Sequence, residues 1–232
     1  MKLPISKRLM ACAAWVDPGQ RVADIGTDHG YLAIYLLRSG RARRVLARDE
    51  ALAADIAPQP LERARENARR FGVQAGLSFH QCDGVRGLPR DFDVLLMAGL
   101  GAETMIQILQ GGPWLRTGGY RLILQCQSSQ NELRQYLSEN GWQISREAPV
   151  RDGKFLYTVL EAKPGRQALT PGQHFVSPAL LEEKNELVGE YLAFCRRTVE
   201  QVVSGLAGRP GPKYEYYSTA LSELMAMEAG EV

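Results

Sequence analysis

Ala23-Asp24-Ile25-Gly26-Thr27-Asp28-His29-Gly30-Tyr31-Leu32 puts two acids, two glycines and an imidazole into one short turn. The apolar run before it, residues 21–25, reads as a strand, and residues 31–40 read as a helix closing on a glycine. In α/β folds a ligand is held at such a turn, at the carboxyl end of a strand. Two chemistries compete for it. A dinucleotide loop has the pattern G-x-G-x-x-G, with backbone amides facing a pyrophosphate. Here the middle glycine is replaced, and a carboxylate at Asp28 would repel a pyrophosphate, which disfavours NAD and FAD. S-adenosylmethionine has no phosphate, an ammonium at its amino-acid end and a cationic sulfur, so an acid-rich loop suits it. The bland alternative is a helix N-terminus with an Asp stabilising its dipole. The candidate cofactor contacts of this loop are Asp24, Gly26, Asp28, His29, Gly30 and Tyr31.

Three further features fit the same site. An acid at the end of the second strand, about 20 residues on, accepts from ribose hydroxyls. Asp49-Glu50 and Asp55 compete for that role; Asp55 is preferred because it ends the run ALAADI and directly precedes the next helix. That choice implies a longer connection before strand two. Asp83-Gly84 ends the third strand, where an Asp can accept from the exocyclic amine of adenine; a plain Asp-Gly turn is equally common. Ala98-Gly99-Leu100-Gly101 leaves the fourth strand with small residues, which let a flat group approach the backbone. The acidic or Asn-Pro-Pro motif of many amino-directed methyltransferases is absent, which argues against exocyclic amine chemistry.

The elements that position these residues alternate. Strand-like runs at 21–25, 52–56, 77–82, 92–98 and 120–125 are interleaved with helical stretches at 31–40, 60–72, 102–110 and 131–141. This pattern predicts an α/β fold with a mostly parallel sheet covered by helices on both faces. Two successive strands, WQISREA and FLYTVLEA, are joined by Arg151-Asp152-Gly153-Lys154 and read as a hairpin, so the sheet ends with an antiparallel strand. A helical stretch also opens the chain at Ser6, ended by Asp17-Pro18-Gly19.

Residues 163–173 are rich in Pro, Gly and polar residues and read as a linker. Beyond them Val188, Tyr191, Cys195, Val199, Val202 and Leu206 form the apolar stripe of a long helix. A second helix follows over 217–227, making an antiparallel, coiled-coil-like helical hairpin. The expected division is a cofactor-binding domain over 1–163, folding alone, and a helical C-terminal domain over 164–232.

Composition sets the outer bounds. The chain has 232 residues and 45% hydrophobic residues, enough to bury a core without a disulfide or metal. It has no apolar run long enough to span a bilayer and no signal peptide, so the expectation is a cytosolic protein without a membrane partner. The four cysteines and three histidines are scattered, so no metal site is expected and the thiols read as buried and free. Residues 1–163 hold 22 basic against 17 acidic side chains, and residues 164–232 hold 6 against 9. A basic body with an acidic tail is weak evidence for a polyanionic partner.

Together, ADIGTDHGYL, the N-terminal SKRL, AGLGAETM, RLILQ, the DGK turn and the helical C-terminus resemble the bacterial TrmK family across nearly the whole chain. The resemblance implies a Rossmann-like class I methyltransferase sheet with S-adenosylmethionine as cofactor. It implies tRNA as partner and methyl transfer to N1 of adenosine 22. Departures are local: the family's A-G-M-G-G is AGLGA here, and its L-I-L-Q-P-N is LILQCQ.

Adenine N1 has an in-plane lone pair and needs no base, but methylation leaves the ring cationic. An acid nearby stabilises that charge, and Asp28 is the candidate catalytic residue. His29 either orients it or bonds within the turn. The target base must be extruded from a folded arm and held by aromatic or Arg stacking. For RNA contact the candidates are Lys7, Arg8, Arg43 and Arg44, the last two within five arginines between 38 and 48. Their bland reading is a solvated helix end and loop. A monomer is expected. Two other readings stay open: a small-molecule methyltransferase, and a non-catalytic RNA-binding protein on the same scaffold. The basic body disfavours the first and the intact acidic loop the second.

Overall fold

The computed structural model describes residues 3–26, 29–48, 59–80 and 84–230. Its centre is a seven-stranded sheet of order β3-β2-β1-β4-β5-β7-β6. The strands are β1 (Gln20–Ile25), β2 (Ala42–Arg48), β3 (Leu77–His80), β4 (Val94–Leu100), β5 (Arg121–Cys126), β6 (Trp142–Asp152) and β7 (Phe155–Pro164). β1 pairs in parallel with both β2 and β4, and β4 pairs in parallel with β5. Val22 to Ile25 are all buried, as expected where helices cover both faces of a parallel sheet. The covering helices are α1 (Lys7–Ala14), α2 (Tyr31–Arg38), α3 (Gln59–Arg70), α4 (Ala102–Gln110) and α5 (Gln130–Glu139). One core cluster joins α4 and α5 to one face; the other joins α1, α2 and α3 to the opposite face.

The hairpin forms as the sequence predicts, with a two-residue turn at Gly153-Lys154 between Asp152 and Phe155. Its second strand, β7, inserts antiparallel between β5 and β6. The edge is therefore β6, and the antiparallel strand lies one place inside it.

Strand two is a correction. The sequence reading placed it at 52–56, which lies outside the described residues. The strand that pairs with β1 is Ala42–Arg48. Among its described residues Ala42, Val45, Leu46 and Ala47 are buried, and Arg43 and Arg44 interrupt the apolar run. Those arginines sit mostly at the amino end of the sheet. Arg41 caps the C-terminal end of α1 by donating to the carbonyls of Ala14 at 2.9 Å and Val16 at 3.1 Å. Arg44 reaches Asp91 at 3.3 Å, and Arg38 lies 5.5 Å over the Phe71 ring. At the same end Arg21 grips Asp93 in a fork and holds its carboxyl below the usual carboxylate range.

The tail comprises α6 (Pro178–Leu181), α7 (Leu187–Gly205) and α8 (Pro212–Ala229), with α7 and α8 joined around a third core cluster. The last helix is longer than the predicted 217–227, because Pro212 serves as its first-turn residue. The tail is fastened to the sheet by a buried ion pair. Arg134 of α5 donates to Glu147 of β6 at 2.6 Å, with both side chains at most 1% exposed. Arg134 also donates to Tyr191 of α7 at 3.0 Å and to the His174 carbonyl at 3.0 Å. Ser177 donates to Glu147 at 2.6 Å.

Candidate functional site

β1 and β4 are neighbours although β2 and β3 separate them in the chain, so the strand order reverses between them. Open α/β sheets bind ligands in the crevice at that switch point. A cleft of about 250 Å³ lies there, lined by Asp24, Gly26, His29, Tyr31, Ala98 and Gly99 with Arg8, Leu9 and Leu32. Six of the predicted cofactor contacts thus converge, from the ends of two strands more than 70 residues apart.

Each is placed by a local cause. Asp24 is buried near the end of β1, in register with Ala47 of β2 and Leu96 of β4. Gly26 has φ +86°, and a Cβ there would lie 2.8 Å from Leu100 Cδ2. The His29 carbonyl accepts from Asn67 of α3 at 3.0 Å, and its ring lies 5.4 Å from that of Tyr31. Gly30 caps α2 in a left-handed conformation. Ala98 and Leu100 face Gln125 and Cys126, which leaves Gly99 as the extra residue of a β-bulge with φ +88°. Bulges of this kind re-aim a strand end beside a site. Gly84, with φ +55°, opens the turn over 84–87. Asp28, Asp49, Asp55 and Asp83 lie outside the described residues. Because β2 ends at Arg48, the acid that directly follows strand two in the chain is Asp49, which corrects the argument that favoured Asp55.

The arrangement suits S-adenosylmethionine. A buried acid at the end of β1 faces a cleft whose floor is two glycines, and a Cβ on Gly99 would come within 3.1 Å of Arg8.

Arg8 was expected on an RNA-facing surface with Lys7. Lys7 is exposed on the first turn of α1, but Arg8 turns inward. It donates to the fully buried Gln125 at 2.6 Å, pairs with Asp152 at 3.4 Å, and lies 5.8 Å from the Tyr157 ring centre. Arg43 and Arg44 lie in the first half of β2, roughly 13 Å or more of strand from its carboxyl end. They are exposed, near the amino end of the strand, whereas the cleft lies at the carboxyl ends. No spacing in the sequence foretold the roles of Arg8, Gln125 or Asn67; the polar run QSSQN after β5 was the one available signal.

Thiol chemistry is not favoured. Burial pushes Cys12 up to about 12 and Cys126 and Cys195 up to about 11. Cys82 lies outside the described residues. Among the described residues no cluster of His, Cys, Asp or Glu is arranged to hold a metal ion, and no helix is long and apolar enough to cross a membrane.

The family model described as "Methyltransferase domain" matches residues 5–160. The tRNA (adenine(22)-N(1))-methyltransferase of Bacillus subtilis (strain 168) is 30% identical over 192 residues, covering 79% of this chain and 78% of that protein. Among solved structures, a protein of the NADB-Rossmann superfamily from Streptococcus agalactiae superposes with a TM-score of 0.83 at 22% identity, over 98% of this chain and 99% of that one. TrmK of M. capricolum, solved with S-adenosyl-homocysteine, gives 0.76 at 22% identity over 97% and 98%. At these identities the structural likeness establishes the fold, tail included.

Proposed function

The chain belongs to the TrmK family of methyltransferase-domain proteins, and from that premise we propose that it transfers a methyl group from S-adenosylmethionine to N1 of adenosine 22 in tRNA. The observation that carries this reading is the convergence of Asp24, Gly26, His29, Tyr31, Ala98 and Gly99 on one cleft at the switch point of the sheet. S-adenosylmethionine, when bound, supplies the methyl group on a cationic sulfur. Asp24 offers a carboxylate to the cofactor's positive groups, and Gly26 and Gly99 open the floor to its flat parts. Asp49 is assigned the ribose hydroxyls. Asp83 and Gly84 remain assigned to the adenine end. Asp28 belongs to the same loop and is assigned the charge that develops on the adenine ring, where a fixed acid is most effective.

The substrate partner is tRNA. Lys7 is exposed at the start of α1, and Arg43 and Arg44 serve parts of the tRNA remote from the reacting base.

Incubation with labelled S-adenosylmethionine and unmodified tRNA transcripts carrying A22 tests this reading. Label is expected in tRNA, with a primer-extension stop at that position, because N1-methylation blocks Watson–Crick pairing. Replacing A22 by G is expected to abolish incorporation. Label appearing only in small molecules overturns the RNA substrate.

A further inference from the structure

A second cleft, of about 510 Å³, adjoins the first. Its floor is the β5–α5 loop, one wall is the turn of the β6–β7 hairpin, and the other wall is α7. The two clefts meet at named atoms. A Cβ on Gly99, which lines the first, would lie 3.4 Å from Nε2 of Gln127, which lines the second. Arg8 of the first stacks toward Tyr157 of the second. A group seated in the second cleft is therefore next to the methyl-transfer site.

The walls have a particular chemistry. Phe155 on the hairpin and Phe194 on α7 are 55% and 50% exposed, and both line this cleft. Single exposed apolar side chains are ordinary, but two aromatic rings brought from separate elements to one cleft mark a binding surface. Arg134 is neutralised by Glu147, and Arg151 by Glu190 of α7. Lys154 and Arg197 have no ion pair among the described residues, so the cleft carries uncompensated positive charge. Lys154 Nζ lies 5.3 Å from the Phe155 ring centre, so cation and ring are presented together. The Arg151–Glu190 pair links the hairpin turn to α7.

Aromatic faces interleaved with free cations over a polar floor suit single-stranded nucleic acid: rings stack on bases and cations take phosphates. Extruding a target base also strips its neighbour of a stacking partner. We infer that this cleft clamps a second, unpaired nucleotide of the tRNA beside the methylated adenosine, with its base between Phe155 and Phe194 and its phosphates on Lys154 and Arg197. The inference rests on the tRNA reading above and adds the tail as a direct contributor to the substrate site.

The full-length protein and the variants F155L, F194L, F194Y and K154A/R197A test it. The measurements are tRNA affinity at several salt concentrations, KM and kcat on A22 transcripts, S-adenosyl-homocysteine affinity and melting temperature. Leu keeps the apolar bulk and removes the π face. F155L and F194L are expected to weaken tRNA binding about tenfold or more, with cofactor affinity and melting temperature as in the parent. F194Y is expected to bind tRNA like the parent. K154A/R197A is expected to lower the slope of log K against log salt by roughly 1.4, the single-strand value for two phosphates. Parental tRNA affinity and KM in both Leu variants would overturn the clamp. So would a fall in melting temperature or cofactor affinity that accounts for their losses, since the rings would then serve the fold. Failure of the methyltransferase reading shows separately, as absence of label in tRNA with the parent protein.

Discussion

Asp28 carries the sharpest test at the level of a single residue. Replacing it with Asn keeps size and hydrogen bonding and removes the charge. Turnover on tRNA is expected to fall on the order of 10²–10³-fold, as for loss of one preorganised electrostatic group, with cofactor binding largely kept. If Asp28 serves only the fold of the turn, Asn serves nearly as well and turnover stays near normal. The ribose acid is the second residue-scale question. With strand two ending at Arg48, Asp49→Ala is expected to weaken S-adenosyl-homocysteine binding by about 1–3 kcal/mol, the cost of losing a charge-assisted partner. Asp55→Ala is expected to change it less. Calorimetry on the two variants decides, and the reverse order would restore Asp55.

Between elements, the energetics concentrate in one buried pair. Arg134 and Glu147 are removed from water, and their remaining hydrogen-bonding groups are met by Thr158, Ser177, Tyr191 and the His174 carbonyl. Burial pushes the Tyr191 phenol up, so it stays protonated and donates to Gln130 at 2.7 Å. A satisfied buried pair adds little or nothing over a well-packed apolar replacement, but removing one member leaves a bare charge. Glu147→Ala is therefore expected to cost about 3–5 kcal/mol in denaturant unfolding. The double variant R134M/E147L is expected to recover much of that loss, because no charge is left buried. Equal losses in the two variants would show that the network's worth lies in its hydrogen bonds to the tail.

At the scale of the whole molecule, the pair bears on where the chain divides. The composition changes at 163/164, and the proposed domains meet there. The contacts do not respect that boundary, since Ser177 and Tyr191 complete a site whose charges lie on α5 and β6. A chain cut after Lys163 is thus expected to melt well below the full protein and to lose cofactor affinity along with stability. A truncated chain with parental melting and cofactor binding would restore a clean seam. The same junction gives a pH dependence. Burial holds the His174 imidazole below its usual value, and nearby Arg134 acts the same way, against Glu139 and Glu223. The unfolded state then binds this proton more readily than the folded state. Its contribution to stability is full above the unfolded value of 6.5 and is lost as pH falls through the lower folded value. His174→Gln is expected to flatten the fall in melting temperature between pH 7.5 and 5.5; an unchanged slope would remove His174 from that effect.

Local information sufficed for much of this molecule. The hairpin at Asp152-Gly153, the apolar stripe of α7 and, strand two apart, the alternation of strand and helix are short-range patterns, and the structure forms them where the sequence predicts. Periodicity reports which side of an element is buried, and it does so without knowing the partner. What it cannot report is which distant element supplies that partner. Strand two was misplaced because the run Val45-Leu46-Ala47 is short and flanked by arginines, and only pairing with β1 singles it out. Arg8 read as a surface charge until the fold brought Gln125, 117 residues away, within 2.6 Å. The arginines near 43 looked like one basic patch, but α1, Phe71 and Asp91 claim several of them. The Arg134–Glu147 pair and the aromatic cleft likewise exist only once the tail packs onto the hairpin. Each of these depends on contacts closed over long loops, and so on tertiary structure alone.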